Sequence, residues 1–207
     1  MRGVYLVLDV DATAGRSPFS VAEAALRGGV HAIQWRQKTG SLAAWWSELL
    51  RTRTLCQAHD ALFLINDRVD VALAVHADGV HVGQDDLPAS VARGLVPNRA
   101  LGVSVTELPH VQPASAAGAD YLGVGPIFPT SSKLDAVPPL GLDFLRRVRE
   151  VTQLPLVAIG GITAENAGEV MAEGADAVAV LSAICAATLV EAATRTLVDR
   201  VEGTMIR

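Results

Sequence analysis

Gly118-Ala119-Asp120-Tyr121-Leu122-Gly123-Val124 is the stretch whose reading decides the fold. A helix-spaced segment stops at a glycine, and a short continuous apolar run begins at once, as when a helix hands over to a strand buried on both faces. The same punctuation returns at Gly174-Ala175-Asp176, with Ala77-Asp78-Gly79 a near copy. It is an internal rhythm, without the self-similarity of a tandem repeat. Working outward from it, strands are predicted at 4–8, 31–35, 62–65, 79–82, 100–103, 120–124, 156–159 and 177–181. Helices are predicted at 21–27, 42–59, 69–75, 89–94, 108–117, 142–151, 164–173 and 189–201. Every strand precedes a helix, and no G-x-G-x-x-G follows the first strand. Eight such units with apolar strands favour a closed α/β architecture, a single (β/α)8 or TIM barrel over residues 1–207, rather than an open doubly wound sheet.

The 207 residues are 50% hydrophobic and 19% charged, enough to bury one sizeable core and too apolar for disorder. A net charge of −5 argues against a nucleic-acid partner or an acidic membrane surface, so cations gathered at one place would be a local exception. No run approaches the ~20 apolar residues of a membrane span, and the opening MRGVYLVLDVD is wrong for a signal peptide, which predicts a cytoplasmic protein. Cys56 and Cys185 match no metal or redox spacing and read as reduced packing residues. The oligomeric state stays open, a homo-oligomer included.

In a barrel the residues just past each strand converge on one face, and the chemistry is to be read there. After the second strand, Gln34, Arg36 and Lys38 alternate and so point to one side as an oxyanion clamp; rim ion pairs are the alternative for the two cations. The third strand ends in Asn66-Asp67 and the fourth leads to Asp85-Asp86. Asp67 with these carboxylates suits Mg2+, which takes one or two carboxylates and completes its shell with water and substrate phosphate. Helix capping competes for Asn66, Asp67 and Asp86. Ser104, ending the fifth strand, is either an anion donor or a cap, and His81 carries no assigned role. The segment 123–142, GVGPIFPTSSKLDAVPPLGL, is long and non-periodic, as working loops are, and brings Thr130, Ser132 and Lys133 as donors to an anion. Glycines at 160–161 and the turn Leu181-Ser182 follow the last two strands, where such barrels bind phosphate on backbone N–H groups; tight turning with Thr163 as an N-cap is compatible with that. Two anion pockets on one face imply two phosphorylated small-molecule substrates. No Ser–His–Asp arrangement, zinc spacing or lysine within a barrel strand is present.

The ordered set Gln34-x-Arg36-x-Lys38, Ile65-Asn66-Asp67, Gly79-x-His81-Val82-Gly83-Gln84-Asp85-Asp86, Gly102-Val103-Ser104, Gly125-Pro126-Ile127-Phe128-Pro129-Thr130-x-Ser132-Lys133, Ile159-Gly160-Gly161-Ile162 and Leu181-Ser182-Ala183-Ile184 resembles the thiamine phosphate synthase family. The resemblance implies a transferase that joins hydroxymethylpyrimidine pyrophosphate to hydroxyethylthiazole phosphate and releases pyrophosphate. It implies that Gln34, Arg36, Lys38, Asn66 and Lys133 contact the pyrophosphate and that Ser104 helps hold it or the pyrimidine. It places Mg2+ on Asp67 and Asp86, the thiazole near Thr130 and Ser132, and its phosphate on backbone at Gly161, Leu181 and Ser182. Of these, Lys133, Arg36 and Ser104 are the expected catalytic groups. Departures are mild: Ser132 stands where threonine is usual, and Gln37 and Asp85 where glutamate is common. The sister thiazole tautomerases tend to lose the two aspartates and carry a histidine near Pro126, and a non-catalytic phosphate sensor needs no cation clamp, so both resemble this chain less.

Overall fold

The computed structural model describes residues 1–130, 132 and 138–205. In chain order the elements are β1 Gly3–Asp9, α1 Pro18–Arg27, β2 Ala32–Arg36, α2 Leu42–Ala58, β3 Leu62–Asn66, α3 Val69–Ala74, β4 Gly79–Val82, α4 Ala89–Leu95, β5 Ala100–Val105, α5 Val111–Ala116, β6 Tyr121–Val124, α6 Gly141–Val151, β7 Leu156–Ile159, α7 Ala167–Ala172, β8 Ala177–Val180, α8 Ser182–Cys185 and α9 Val190–Met205. The strands pair in parallel and in sequence, and β8 pairs back onto β1, so the sheet closes as the expected (β/α)8 barrel.

Strand parity sorts the side chains into two layers. Leu6, Ile33, Phe63, Val80, Leu101, Leu122, Ala158 and Val178 face outward into the core shared with the helices. Tyr5, Val7, Ala32, Leu64, Tyr121, Val157, Ala177 and Ala179 fill the barrel itself. Continuing the inner parity one step along each strand brings Asp9, Arg36, Asn66 and Ser104 to the C-terminal mouth. Trp35, one residue out of phase with the clamp, is 2% exposed and lies in the outer layer, away from it.

Three elements differ from the sequence expectation. The segment 108–117 splits into a 3-10 turn, Leu108–His110, followed by α5, because Pro113 has no N–H to continue a single helix through the turn. The seventh helix starts at Ala167 and Thr163 is not its N-cap: the Asn166 side chain accepts from the Thr163 N–H at 2.8 Å and donates to the Gly161 carbonyl at 3.0 Å, holding 161–166 as a loop. The last strand stops at Val180, and the four-residue α8 follows it. Cys56 and Cys185 are buried and unbridged, and burial pushes both thiols up to about 12, as packing cysteines require.

Candidate active site

Each residue of the expected clamp already has a partner inside the mouth. Arg36 pairs with Asp9, whose Cα lies opposite it in the β1–β2 register, and the Asp9 side chain is only 7% exposed. Lys38 meets Asp67 at 2.5 Å. Gln34 lies deeper, 4% exposed, and donates its amide to the Tyr5 hydroxyl at 2.7 Å. The ion pairs that compete with the clamp reading are thus both present, and Asp9 is a member of the site that the sequence did not single out. The signal was available: Asp9 follows Tyr5 and Val7 at the same parity, and an inward carboxylate at a strand end needs a cation.

The capping alternatives for the acidic residues do not hold. The residue preceding α3 is Arg68 and that preceding α4 is Pro88, and neither helix has a side-chain cap bond. Asp67 instead takes φ +59°, a left-handed conformation that aspartate tolerates at some cost, with its N–H donating to the His81 carbonyl at 2.8 Å. Asp86 accepts from the Gly83 N–H at 2.8 Å, and its carboxyl neighbours that of Asp67. Burial raises the Asp67 carboxyl, the neighbouring Asp86 raises it further, and Lys38 only partly reverses this. Burial also pushes Asp86 up but is outweighed by the neighbouring Asp67, by the Gly83 N–H and by the charge of Lys38, with His81 adding to this only when its imidazole is protonated, so Asp86 ends low. The pair therefore prefers one proton, or one added positive charge, between two desolvated carboxylates. Among the described residues no group of three or more His, Cys, Asp or Glu could hold a metal. Two carboxylates with an open side fit the donor set of Mg2+.

Ser104 is no cap either, since Glu107 precedes the 3-10 turn; its hydroxyl meets His81 Nε2 at 2.9 Å. Gln84 crosses above it to donate to the Ser104 carbonyl at 2.6 Å. Across the mouth, the Ser132 hydroxyl lies 3.4 Å from that of Ser182, and the Ser132 N–H donates to Thr130 Oγ1 at 3.2 Å, so the loop after β6 meets the turn after β8. Lys133 lies outside the described residues. Gly160 and Gly161 have φ of +101° and +63°. A Cβ on Gly161 would stand 2.6 Å from the Pro129 carbonyl oxygen, and one on Gly160 would stand 2.5 Å from Pro126 Cα. These glycines thus seat the 126–129 segment, which donates from the Ile127 and Phe128 N–H groups to the carbonyls of Ile159 and Gly160. Tight turning is established there. Leu181 and the first turn of α8 lie beside Ser132, with N–H groups that a helix start leaves without intrahelical partners.

Cations balanced on carboxylates at the C-terminal mouth of a parallel barrel define a class: a (β/α)8-barrel enzyme with a rim suited to anionic small molecules. Comparison with known proteins narrows it. The model of the thiamine monophosphate synthase family matches residues 4–184. The thiamine-phosphate synthase of Chloroflexus aurantiacus is 50% identical over 168 residues, covering 81% of this chain and 78% of that protein. That of Methanospirillum hungatei is 46% identical over 170 residues, covering 82% of each. Among solved structures, thiamine phosphate pyrophosphorylase from Pyrococcus furiosus superposes with a TM-score of 0.90 at 40% identity, covering 98% of this chain and 96% of its own. The chain belongs to the thiamine monophosphate synthase family, and it is an enzyme of the transferase class. Among the described residues no helix is long and apolar enough to cross a membrane.

Proposed function

We propose that this chain is a thiamine-phosphate synthase that couples hydroxymethylpyrimidine pyrophosphate to hydroxyethylthiazole phosphate in a Mg2+-dependent reaction. The observation that carries the reading is the meeting of Asp67, Asp86 and Lys38 at one point of the mouth, next to the Arg36–Asp9 pair. The bond from the pyrimidine methylene carbon to the pyrophosphate oxygen breaks, the electron pair leaves with pyrophosphate, and the thiazole nitrogen forms the new C–N bond with its lone pair. An electron-rich aminopyrimidine delocalises the cation left behind, so the protein has to neutralise the leaving group and place the nitrogen; it needs no nucleophile of its own.

Arg36 and Lys38 exchange carboxylate partners for pyrophosphate oxygens, which keeps each cation paired at every stage. Asp67 and Asp86 hold Mg2+, which when bound supplies Lewis-acid neutralisation of the leaving group. Ser104, Asn66 and Gln34 add directional hydrogen bonds, and Thr130, Ser132 and backbone at Gly161, Leu181 and Ser182 receive the thiazole phosphate. Neither the tautomerase nor the sensor reading gains support from any observation here. The test is to mix both substrates and measure released pyrophosphate: release with Mg2+ that collapses with chelator and returns on adding the metal is expected. Undiminished turnover in metal-free buffer would remove the metal from the mechanism, and no release in any buffer would remove the function.

A further inference from the structure

Below the rim, the barrel holds a continuous polar chain within its apolar filling. Gln34 Nε2 donates to the Tyr5 hydroxyl at 2.7 Å, the Tyr5 and Tyr121 hydroxyls are 3.0 Å apart, Tyr121 lies 3.0 Å from His81 Nδ1, and His81 Nε2 lies 2.9 Å from Ser104 Oγ. Both tyrosines are fully buried, and burial raises the pKa of each, so they stay neutral and each has one proton to donate. The chain is built into the fold: a Cβ on Gly102 would stand 2.3 Å from the Tyr121 hydroxyl and 2.4 Å from His81 Nδ1, and one on Gly123 would stand 2.8 Å from His81 Cε1. Inward glycines on β5 and β6 are what admit the two rings, whose centroids lie 5.5 Å apart.

The donor at one end dictates the rest. Tyr5 accepts from the Gln34 amide, so among the described residues its own proton has only Tyr121 to go to. Tyr121, having accepted, sends its proton to His81 Nδ1. Nδ1 must then be bare, which leaves the neutral imidazole's proton on Nε2, donating to Ser104 Oγ. Any other arrangement with this amide orientation strands a buried hydroxyl proton. We infer that His81 and Tyr121 are positioning residues, and that the relay keeps the Ser104 hydroxyl as an acceptor toward the protein so that its proton is available to a substrate oxyanion.

The inference rests on the reading of Ser104 as a donor to the pyrophosphate. Reversing the Gln34 amide would reverse every bond, put the imidazole proton on Nδ1 and consume the Ser104 proton internally. Long-range proton–nitrogen correlation on 15N-histidine enzyme without substrate, with His81 assigned by His81→Gln, reads the tautomer directly. A proton on Nε2 with bare Nδ1 is expected; a proton on Nδ1 overturns the relay. With both substrates, Tyr121→Phe should lower kcat about tenfold while KM for the pyrimidine pyrophosphate moves little. In a Ser104→Ala background the same change should have almost no further effect, because both act through one hydroxyl. Additive losses would show that Tyr121 works by another route and would overturn the inference. A wild-type enzyme that releases no pyrophosphate would sink the synthase reading, while the tautomer would still decide the relay.

Discussion

Arg36 and Lys38 are both ion-paired, yet the pairs differ in what they cost to break. The side chains of Arg36 and Asp9 are 12% and 7% exposed, whereas Lys38 and Asp67 are 47% and 19% exposed. Removing Asp9 strands a guanidinium in the mouth, so Asp9→Ala should cost roughly 3–5 kcal/mol in urea unfolding, and inorganic pyrophosphate should recover part of it by giving Arg36 a new partner. A midpoint equal to wild type, with or without pyrophosphate, would mean that the pair carries no such burden. Asp67 is the opposite case. Its backbone is left-handed, its carboxyl is desolvated beside Asp86, and its lysine partner is half-exposed, so the residue is held for something other than stability. Asp67→Asn keeps the shape and tolerates the backbone; it should unfold within about 1 kcal/mol of wild type while Mg2+-dependent turnover collapses. A variant that kept turnover would remove Asp67 from the metal site.

At the level of single elements, the segment 126–129 and the turn at 160–161 form one unit, because the Ile127 and Phe128 N–H groups donate to the carbonyls of Ile159 and Gly160. Gly161→Val therefore does more than block an anion: its side chain meets the Pro129 carbonyl and Phe128. It should cost about 1–3 kcal/mol of stability along with any loss of thiazole phosphate affinity, whereas Ser182→Ala should change affinity modestly and stability hardly at all. A Gly161→Val enzyme as stable as wild type would show that the loop can sit elsewhere. Lys133→Ala, argued from the sequence, should lower kcat roughly 10²–10³-fold with a smaller effect on KM, as for one lost oriented donor; a near-normal kcat would make the loop a passive connection. Why some of this was legible and some was not follows from range. Continuous apolar strands and glycine stops are local signals, and they placed the strands and most of the helices. The α8 turn is too short for any periodicity, and asparagine at 166 and threonine at 163 are equally plausible caps until the loop path is known. The Asp9–Arg36 pair depends on the β1–β2 register, and the tyrosine–histidine chain on inward positions from β1, β4, β5 and β6 that meet only once the barrel has closed.

Closure also decides how the whole molecule holds together. The family match ends at residue 184, before α9, yet α9 packs on β1, α1 and α7, where the barrel's first and last strands are joined. Val190, Leu197, Val198 and Val201 are at most 8% exposed, and Thr194 is so closely seated that a Cβ on Gly28 would stand 2.6 Å from its Cβ. Burying four such side chains is worth roughly 6–12 kcal/mol at ~1.5–3 kcal/mol each, an upper bound because unfolded chains already bury some surface. That is comparable with the ~5–15 kcal/mol by which a whole domain is stable, so α9 is part of one cooperative unit with the barrel. A chain ended at residue 189 should then lack a cooperative thermal transition, as read by circular dichroism and calorimetry. Leu197→Ala is the milder form: it should cost roughly 2–5 kcal/mol, lowering the urea midpoint, with kcat/KM per folded molecule close to wild type, since Leu197 lies on the helix side of the barrel. If the shortened chain still melted cooperatively near the wild-type temperature, the seam between β8 and β1 would be held by strand pairing alone, and α9 would be a passenger on a barrel that closes without it.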